Sequence, residues 1–463
     1  MPASSSTFSA ADFKDLKDNF LSNPSEENCV HVIKSLFYVA TEDPENDIWL
    51  DCKDVIVSVL TPKNLTYILQ SQQALILQAL SLSSNVTALL AELLERNSSV
   101  IGELSTPVAV AILQKMEDSD SFESIAKVIS RLCYKKEIAD ELIFRVNKYT
   151  SSEARFRLYQ VLLFSIQFDT FNERLLPLFE RLKKELSGDV LVQLAALDLL
   201  SDIAIASNTG ASLLTESKVP QQVYEVLTSS RDSPDGGFLF TATIKFFGCL
   251  GKCYPAVLTE FPDFVRLLFH QISNYDVLDA SQRVLVVETF AYVAYSTDSK
   301  LILQSVYNDQ LDVVFNSLGT ALKSGPIELR AKIVDAIEIL FRHDVDDILS
   351  IWFKSITELG TAISKFSLMP FREIRLATLC LLRTLSTLSG PIEYLLRKEN
   401  EEFVDWLCDA TVETEWELQV VKRECIQTIL NQDYKFIDDS LRAKLRSYFV
   451  RSAAAPEVAT MGQ

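Results

Sequence analysis

The sequence predicts an all-α protein, built as a solenoid of stacked helical repeats. Runs of apolar residues with helical three- and four-residue spacing return about every 45 residues through the second half of the chain. The chain also contains only 12 glycines and 14 prolines among its 463 residues. Since one such unit cannot bury its apolar side alone, neighbouring units must stack into a curved superhelix. The six runs are residues 190–206, 238–251, 282–296, 327–341, 372–388 and 417–430.

A polar or cysteine residue recurs in the middle of each run, again at steps of about 45 residues. These recurring positions are Asp198, Lys245, Glu288, Asp335, Cys380 and Glu424. The length of the chain accommodates roughly ten repeats of this period. We therefore predict one continuous right-handed solenoid over residues 11–450, with a disordered N-terminus at residues 1–10 and a disordered tail at residues 451–463.

The first half of the chain continues the helical pattern with weaker periodicity. Residues 13–20 and 29–40 predict a first helix pair, and residues 23–25 (Asn-Pro-Ser) form the turn between them. Residues 65–96 read as strongly helical, and residues 126–146 and 156–168 follow in the same rhythm. Proline is tolerated in the first turn of a helix, so Pro107 predicts a helix start. Pro177 predicts either a start or a kink.

Breaker residues separate the helices of the second half. The clearest loop is the Ser-, Asp-, Pro- and Gly-rich stretch at residues 229–237. Proline also marks breaks at residues 325–326, 369–370 and 390–391. None of these breaks divides the sequence into independent domains.

Composition excludes several classes of partner. The net charge of -19 disfavours binding to nucleic acid and to anionic membranes. No uninterrupted apolar run reaches the roughly 20 residues that span a bilayer. The N-terminal residues lack the basic and apolar segments of a signal peptide. We therefore expect a cytoplasmic protein, with the nucleus as a second location, whose eight cysteines are reduced.

The sequence offers no catalytic or metal-binding motif. Its three histidines, His31, His270 and His343, are far apart, and no phosphate-binding loop or nucleophile motif occurs. Cys249 and Cys253 lie one helical turn apart, but two thiolates are only half of a structural zinc site. Core packing is the favoured interpretation of this pair. We predict a non-enzymatic protein with no cofactor and no metal.

A second stripe of side chains on the long helices is the candidate binding surface. In residues 282–296, five residues form the apolar face: Val284, Val287, Phe290, Ala291 and Ala294. Leu285, Glu288, Tyr292 and Tyr295 fall on a different stripe. The matching stripes are Glu328, Lys332, Asp335 and Glu338 in residues 327–341, and Asp198, Ser201 and Asp202 in residues 190–206. The predicted partner-binding residues are Asp198, Asp202, Lys245, Glu288, Tyr292 and Asp335. Tyrosine beside acids suits an interface, although a solvated helix surface explains any single residue equally well.

Several segments of the second half resemble a known family. GDVLVQLAALDLLSDIA followed by ASLLTESKVPQQVYEVL is similar to an armadillo-type unit. DSPDGGFLFTATIKFFGCLG, with Lys245, Phe246, Phe247 and Gly248, resembles the corresponding segment of the 26S proteasome non-ATPase regulatory subunit 5 family. The resemblance continues through YPAVLTEFPDFVRLLFHQI, GPIELRAKIVDAIEIL, WFKSI and the Met-Pro-Phe at residues 369–371. It covers about residues 188–430 in the same order.

The resemblance implies an armadillo/HEAT-type solenoid that acts as an assembly chaperone. Such a protein binds the C-terminal domain of an ATPase subunit of the proteasome regulatory-particle base. It escorts a base precursor with its associated subunits, and is absent from the mature proteasome. The alternative is another armadillo or HEAT adaptor or scaffold. An importin-like carrier would repeat Trp and Asn along its groove, whereas this chain has four tryptophans, Trp49, Trp352, Trp406 and Trp416.

Overall fold

The computed structural model describes residues 10–42, 52–117, 120–229, 236–345, 347–432 and 434–454. These residues form 28 α-helices joined by turns and short 3-10 helices. No β-strand occurs within the described ranges. The chain divides into two compact units, Met1–Leu213 and Leu214–Gln463, and the boundary falls inside one helix, α13. The fold is the predicted α-solenoid.

The first unit is made of helical hairpins. α2, α5, α7, α9 and α11 open successive hairpins, and α3, α6, α8, α10 and α12 close them. Each closing helix from α6 to α12 packs on the one before it, and α5, α7, α9 and α11 pack on one another in the same way. The helices are α1 Ala10–Ser22, α2 Glu26–Glu42, α3 Lys53–Val59, α4 Pro62–Ser71, α5 Gln73–Leu82, α6 Ser84–Arg96, α7 Thr106–Leu113, α8 Phe122–Ser130, α9 Lys136–Lys148, α10 Ser152–Gln167, α11 Leu176–Lys184, α12 Val190–Ala206 and α13 Asn208–Glu216.

A buried ion pair joins two hairpins of the first unit. Arg155 on α10 donates two hydrogen bonds of 2.9 Å to the carboxylate of Glu185, which follows α11. The Tyr159 hydroxyl donates a third to the same carboxylate, also at 2.9 Å. Both charged residues are buried. The pair therefore fixes α10 relative to the end of α11.

The second unit is built from three-helix repeats. Each repeat opens with one of the helices α15, α18, α21, α24 and α27, which we call the long helices. Two further helices follow each of the first four, and α28 follows α27. The helices are α14 Val219–Ser229, α15 Gly236–Cys253, α16 Val257–Glu260, α17 Pro262–Ser273, α18 Ala280–Val293, α19 Thr297–Val306, α20 Asn308–Ala321, α21 Ile327–Leu340, α22 Ile348–Ser355, α23 Leu359–Ser367, α24 Arg372–Leu385, α25 Ser389–Leu395, α26 Glu401–Cys408, α27 Trp416–Asn431 and α28 Asp439–Ala454.

The long helices of the second unit pack side by side in one layer, each on the next. Neighbours run in the same direction, because contacts advance together along both helices of a pair. Arg372 near the start of α24 bonds to Glu415 just before α27 at 2.6 Å, and Arg383 further along bonds to Glu424 at 3.0 Å. The starts of the long helices therefore lie along one edge of this layer.

Local sequence explains where the long helices begin. Asp279 accepts a hydrogen bond from the Gln282 backbone N–H, and Gln282 bonds back to Asp279, so that the two form a capping box at the start of α18. Asp189 accepts from the Val192 N–H at the start of α12. Gly325, with φ of 83°, adopts the left-handed conformation that glycine tolerates best, just before α21.

The segment that resembles the subunit 5 family, residues 232–251, includes a packing motif. Phe246 and Phe247 are fully buried, and the Phe247 ring lies 4.9 Å from that of Phe264 on α17. A Cβ at Gly248 would lie 2.9 Å from the Thr289 methyl group on α18. Glycine at this position therefore allows α15 and α18 to approach closely.

Two buried lysines donate hydrogen bonds to backbone carbonyls at or just beyond the C-terminal ends of helices. Lys300 donates to the carbonyls of Ala294 and Tyr295 at 2.7 and 2.8 Å, beyond the end of α18. Lys422 donates to the Trp406 and Asp409 carbonyls at 2.6 and 2.9 Å, at the end of α26. Burial lowers the pKa of Lys300 to about 7 and that of Lys422 to about 8. Lys300 bonds to carbonyls that follow the last residue of α18, and Lys422 is a second donor to the Trp406 carbonyl, which also accepts from the Asp409 N–H.

The predicted elements and the observed ones agree closely in the second half. All six periodic runs are helices, and Pro177 lies in the first turn of α11 rather than at a kink. The run at 65–96 is three helices, and residues 126–146 belong to two. α28 extends to Ala454, into the segment predicted as a disordered tail. Residues 1–9 and 455–463 of the predicted ends lie outside the described residues. The single continuous solenoid stays a prediction.

Candidate protein-binding surface

The structure brings four of the six predicted site residues onto the long-helix layer of the second unit. Lys245 lies on α15, Glu288 and Tyr292 on α18, and Asp335 on α21. Lys332, one helical turn before Asp335, also acts electrostatically on Glu288. We call these five residues the central cluster. Its members come from three consecutive repeats, so a single partner surface can reach all of them.

The central cluster holds carboxylates in an unfavourable setting. Burial raises the pKa of Glu288, and Asp335 raises it further, whereas Lys332 and Lys245 oppose the change. The Asp335 side chain stays accessible, yet reduced hydration between the helices raises its pKa, with a contribution from Glu338. Burial and the nearby Glu288 raise the pKa of Tyr292. The ionised carboxylates at neutral pH therefore cost the free protein stability.

Cations alternate with the acids around the central cluster. The Lys252 ammonium lies 5.6 Å from the ring centre of Tyr292 and 5.0 Å from that of Tyr295. Arg342 donates to the Glu338 carboxylate at 2.7 Å, and the Thr384 hydroxyl donates to it at 2.5 Å. Glu338, predicted as part of the stripe, is thus buried and engaged within the fold. The surface is of mixed charge rather than a ladder of acids and aromatics alone.

The other two predicted residues, Asp198 and Asp202, lie on α12 of the first unit. Asp198 is exposed and Asp202 is half-buried. Ser201, placed on the same predicted stripe, is fully buried and donates to the Leu197 carbonyl at 2.6 Å. The stripe on α12 therefore contains two surface residues and one core residue.

Replacing Glu288 with Gln should stabilise the protein. A carboxyl whose pKa is raised in the folded state binds its proton more tightly there, so stability falls as pH rises from the usual glutamate value through the raised one. Gln removes that cost, and we expect a gain of about 0.5–1 kcal/mol at pH 7, measured by urea unfolding. The control is Glu225→Gln at an exposed position on α14. Equal or lower stability of Glu288→Gln at pH 7 would contradict the electrostatic cost.

Cysteines and histidines of the described segments build no metal site. All eight cysteines are free thiols; Cys249 is buried and Cys253 half-buried. Burial raises the pKa of Cys253, which makes it a poor thiolate ligand. No three His, Cys, Asp or Glu side chains come together as a metal site among the described residues. Among the same residues, no helix combines the length and the apolar character needed to cross a membrane.

Exposed apolar side chains also occur outside the predicted binding residues. Phe238, Phe371 and Trp416 are 70%, 48% and 76% exposed, and each lies at the start of a long helix. In contrast, Trp352 and Trp406 are buried, and Trp49 lies outside the described residues. The available sequence signal was an aromatic residue where helix starts favour Ser, Thr, Asp or Asn.

Comparison with protein families decides the affiliation of the chain. A family sequence model described as "Proteasome non-ATPase 26S subunit" matches residues 9–463. The chain belongs to this proteasome family. The match includes the N-terminal repeats, for which the sequence analysis had only periodicity. Membership in this non-ATPase family and the solenoid fold together describe a proteasome-related repeat scaffold. No curated protein matches the chain.

Two solved structures share the fold of this proteasome family member. Importin β aligns over 98% of this chain and 63% of its own, with 11% identity and a TM-score of 0.63. Kap95p, solved with RanGDP, aligns over 98% of this chain and 64% of its own, with 12% identity and a TM-score of 0.54. A designed armadillo repeat protein aligns over 54% of this chain and 98% of its own, with 13% identity and a TM-score of 0.40. This chain spans less than two thirds of the two transport proteins, and the likeness concerns fold alone.

Proposed function

We propose that this protein is a non-catalytic assembly chaperone of the proteasome regulatory-particle base. In this proposal it belongs to the subunit 5 branch of its family and works in the cytoplasm. It binds the C-terminal domain of one base ATPase subunit, together with the precursor subunits attached to it, and leaves before the proteasome is complete. The observation that carries the proposal is the family match over residues 9–463, supported by the subunit 5 resemblance of residues 188–430.

The solenoid supports this role because it offers a long surface built on rigid helices. Side chains on α15, α18 and α21 are held by a buried aromatic core, so they are positioned before the partner arrives. A pre-organised surface loses less entropy on binding. Such a surface suits a protein that must hold a folded domain and then release it intact.

The carboxylates of the central cluster favour a partner surface that carries cationic groups. Glu288 and Asp335 carry raised pKa values because their ionised forms are poorly solvated. A cationic group on the partner would stabilise the ionised carboxylates. Binding would therefore offset the free energy that their ionisation costs the free protein. Tyr292 beside them adds apolar contact area and a hydroxyl group.

The test is a binding panel with the full-length chain. The C-terminal domain of each base ATPase subunit is titrated against the chain by calorimetry, and purified mature proteasomes are probed for the chain. We expect one ATPase domain to bind at a stoichiometry of one, and mature particles to lack the chain. Failure of every ATPase domain to bind would overturn the proposal in favour of another armadillo or HEAT adaptor. Stoichiometric presence in mature particles would make the chain a resident subunit.

A further inference from the structure

One edge of the second unit carries a row of exposed apolar side chains. The row consists of Phe238 near the start of α15, Val277 just before α18, Phe371 before α24 and Trp416 at the start of α27. Their exposed fractions are 70%, 83%, 48% and 76%. We call these four residues the N-terminal edge. Ile327, at the start of α21, is half-buried and continues the row between Val277 and Phe371.

One residue of the N-terminal edge stands where it weakens its own helix. Phe371 is the N-cap of α24, and this helix start has no side-chain capping bond, which Ser or Asp at the same position would supply. About half of Phe371 remains exposed, so burial compensates only in part for the lost cap. Trp416, the first residue of α27 after the N-cap Glu415, is 76% exposed. A local rule broken with little structural gain is typical of a functional position.

The surroundings of the edge are acidic. Asp276, Asp279, Glu328 and Glu373 are exposed beside these helix starts. The nearby arginines are engaged within the fold. Arg372 pairs with Glu415 and Glu417, and Arg375 with Glu413. Arg283 donates to the carbonyls of Tyr275, Asp276 and Leu278. Charge complementarity therefore favours a basic occupant of the N-terminal edge.

The spacing of the row fits a helix. Packed helices lie about 8–10 Å apart, so successive long helices place their apolar side chains at steps of about that length. A helix advances about 10 Å in seven residues and returns to the same face. An extended strand needs about three residues for this distance, and neighbouring anchors would then point to opposite faces. Spacing of about seven residues is the pattern of an amphipathic helix.

We infer that the N-terminal edge is a docking surface for a basic amphipathic helix of a partner protein. The helix crosses the starts of the long helices, with apolar residues against Phe238, Val277, Phe371 and Trp416. Its lysines and arginines face the carboxylates beside the row. This surface is distinct from the central cluster, which lies further along α15, α18 and α21, and it does not depend on the proposed chaperone function.

The test uses a designed helical peptide of about 28 residues, with leucine at every seventh position and lysine and alanine elsewhere. Its control has glutamate in place of lysine. We expect fluorescence anisotropy to show at least about tenfold tighter binding of the lysine peptide to the full-length chain. The double variant Phe371→Ser and Trp416→Ser should bind it at least about tenfold more weakly. Its melting temperature should be unchanged or higher, because Ser can cap α24.

A variant of the central cluster separates the two surfaces. Glu288→Lys with Asp335→Lys should bind the lysine peptide as the wild type does, whatever its effect on an ATPase domain. Three results would overturn the inference. The glutamate peptide could bind as well as the lysine peptide, the serine variant could retain full binding, or the central-cluster variant alone could lose it. In the last case, the peptide would occupy the central cluster.

Discussion

Replacing Glu288 and Asp335 together with lysine is expected to weaken binding to the ATPase C-terminal domain at least about tenfold, or roughly 1.4 kcal/mol. Each substitution places a cation where the proposed partner presents one. Lys245 and Lys332 already lie beside these positions, so the variant surface becomes strongly basic. Calorimetry with the cognate domain measures the effect, and circular dichroism checks that helix content is retained.

The control for this experiment must carry the same change of net charge. Glu225 on α14 and Asp312 on α20 are exposed and lie outside the long-helix layer. Their double lysine variant should bind within about twofold of the wild type, since distant exposed charges are screened. Asp438 is unsuitable as a control because its carboxylate accepts from the Leu441 N–H and caps α28. Equal binding by both double variants would place the contact away from the central cluster.

The same carboxylates predict how this binding depends on pH. Both pKa values are raised in the free protein because the surrounding helices reduce the hydration of the ionised forms, and a basic partner favours those forms. Binding is therefore strongest above the raised values and weakens as pH falls through them towards the usual carboxyl range. The Glu288→Gln and Asp335→Asn double variant should bind weakly and lose most of this pH dependence. Because Glu288→Gln is also expected to stabilise the fold, weaker binding could not be attributed to unfolding.

The largest expected loss of stability follows from Arg155→Met in the first unit. Burial alone would raise the pKa of Glu185, but the hydrogen bonds from Arg155 and Tyr159 outweigh it and lower the pKa. Without Arg155, the buried carboxylate loses the cation that is hydrogen-bonded to it and keeps only the more distant Arg181, and we expect a cost of about 3–5 kcal/mol. Urea unfolding followed by circular dichroism measures it. In the wild type, the contribution of the pair is present above the usual glutamate pKa and is lost as pH falls through the lowered one.

Two further variants show whether the loss comes from the unpaired charge. Lys183→Met removes the cation of a surface pair with Glu180, 2.9 Å apart on α11, and should cost less than about 1 kcal/mol. The triple variant Arg155→Met, Glu185→Leu and Tyr159→Phe removes the whole polar group and should recover more than half of the lost stability. If the triple variant were as unstable as Arg155→Met alone, lost packing rather than an unpaired charge would explain the cost.

The long helices could be predicted from sequence because the same pattern of apolar residues recurs from repeat to repeat. Each long helix of the second unit has an apolar face that repeats at helical spacing, and at α18 the capping residue Asp279 also marks the start. The run at residues 65–96 lacked such a recurring pattern. It is interrupted at Gln72 and Ser83, which lie in the short polar stretches 70–73 and 83–85. Neither stretch contains glycine or proline, and short polar stretches also occur on the solvent side of a continuous helix, so these breaks had no strong local signal.

The candidate surface was harder to predict, because it depends on register between helices. Sequence spacing placed Glu288, Tyr292 and Asp335 on exposed stripes, but it could not show that Lys245 and Lys332 act on Glu288 from two flanking helices. It also placed Ser201 and Glu338 on the surface, whereas both are buried within the fold. The aromatic residues of the N-terminal edge were not predicted to be exposed, because periodicity assigns an aromatic residue beside an apolar run to the core.

The reactivity of the Lys300 amine can report local opening of the fold. Its side chain is fully shielded, and its pKa of about 7 leaves much of it uncharged, and so nucleophilic, near neutrality. An acylating reagent can reach it only when the turn after α18 opens, because the amine is bonded to the Ala294 and Tyr295 carbonyls. α18 carries Glu288 and Tyr292. Mass spectrometry can measure the rate of acylation at Lys300. This rate reports how often the repeat that begins with α18 unfolds locally, and whether a bound partner suppresses that opening.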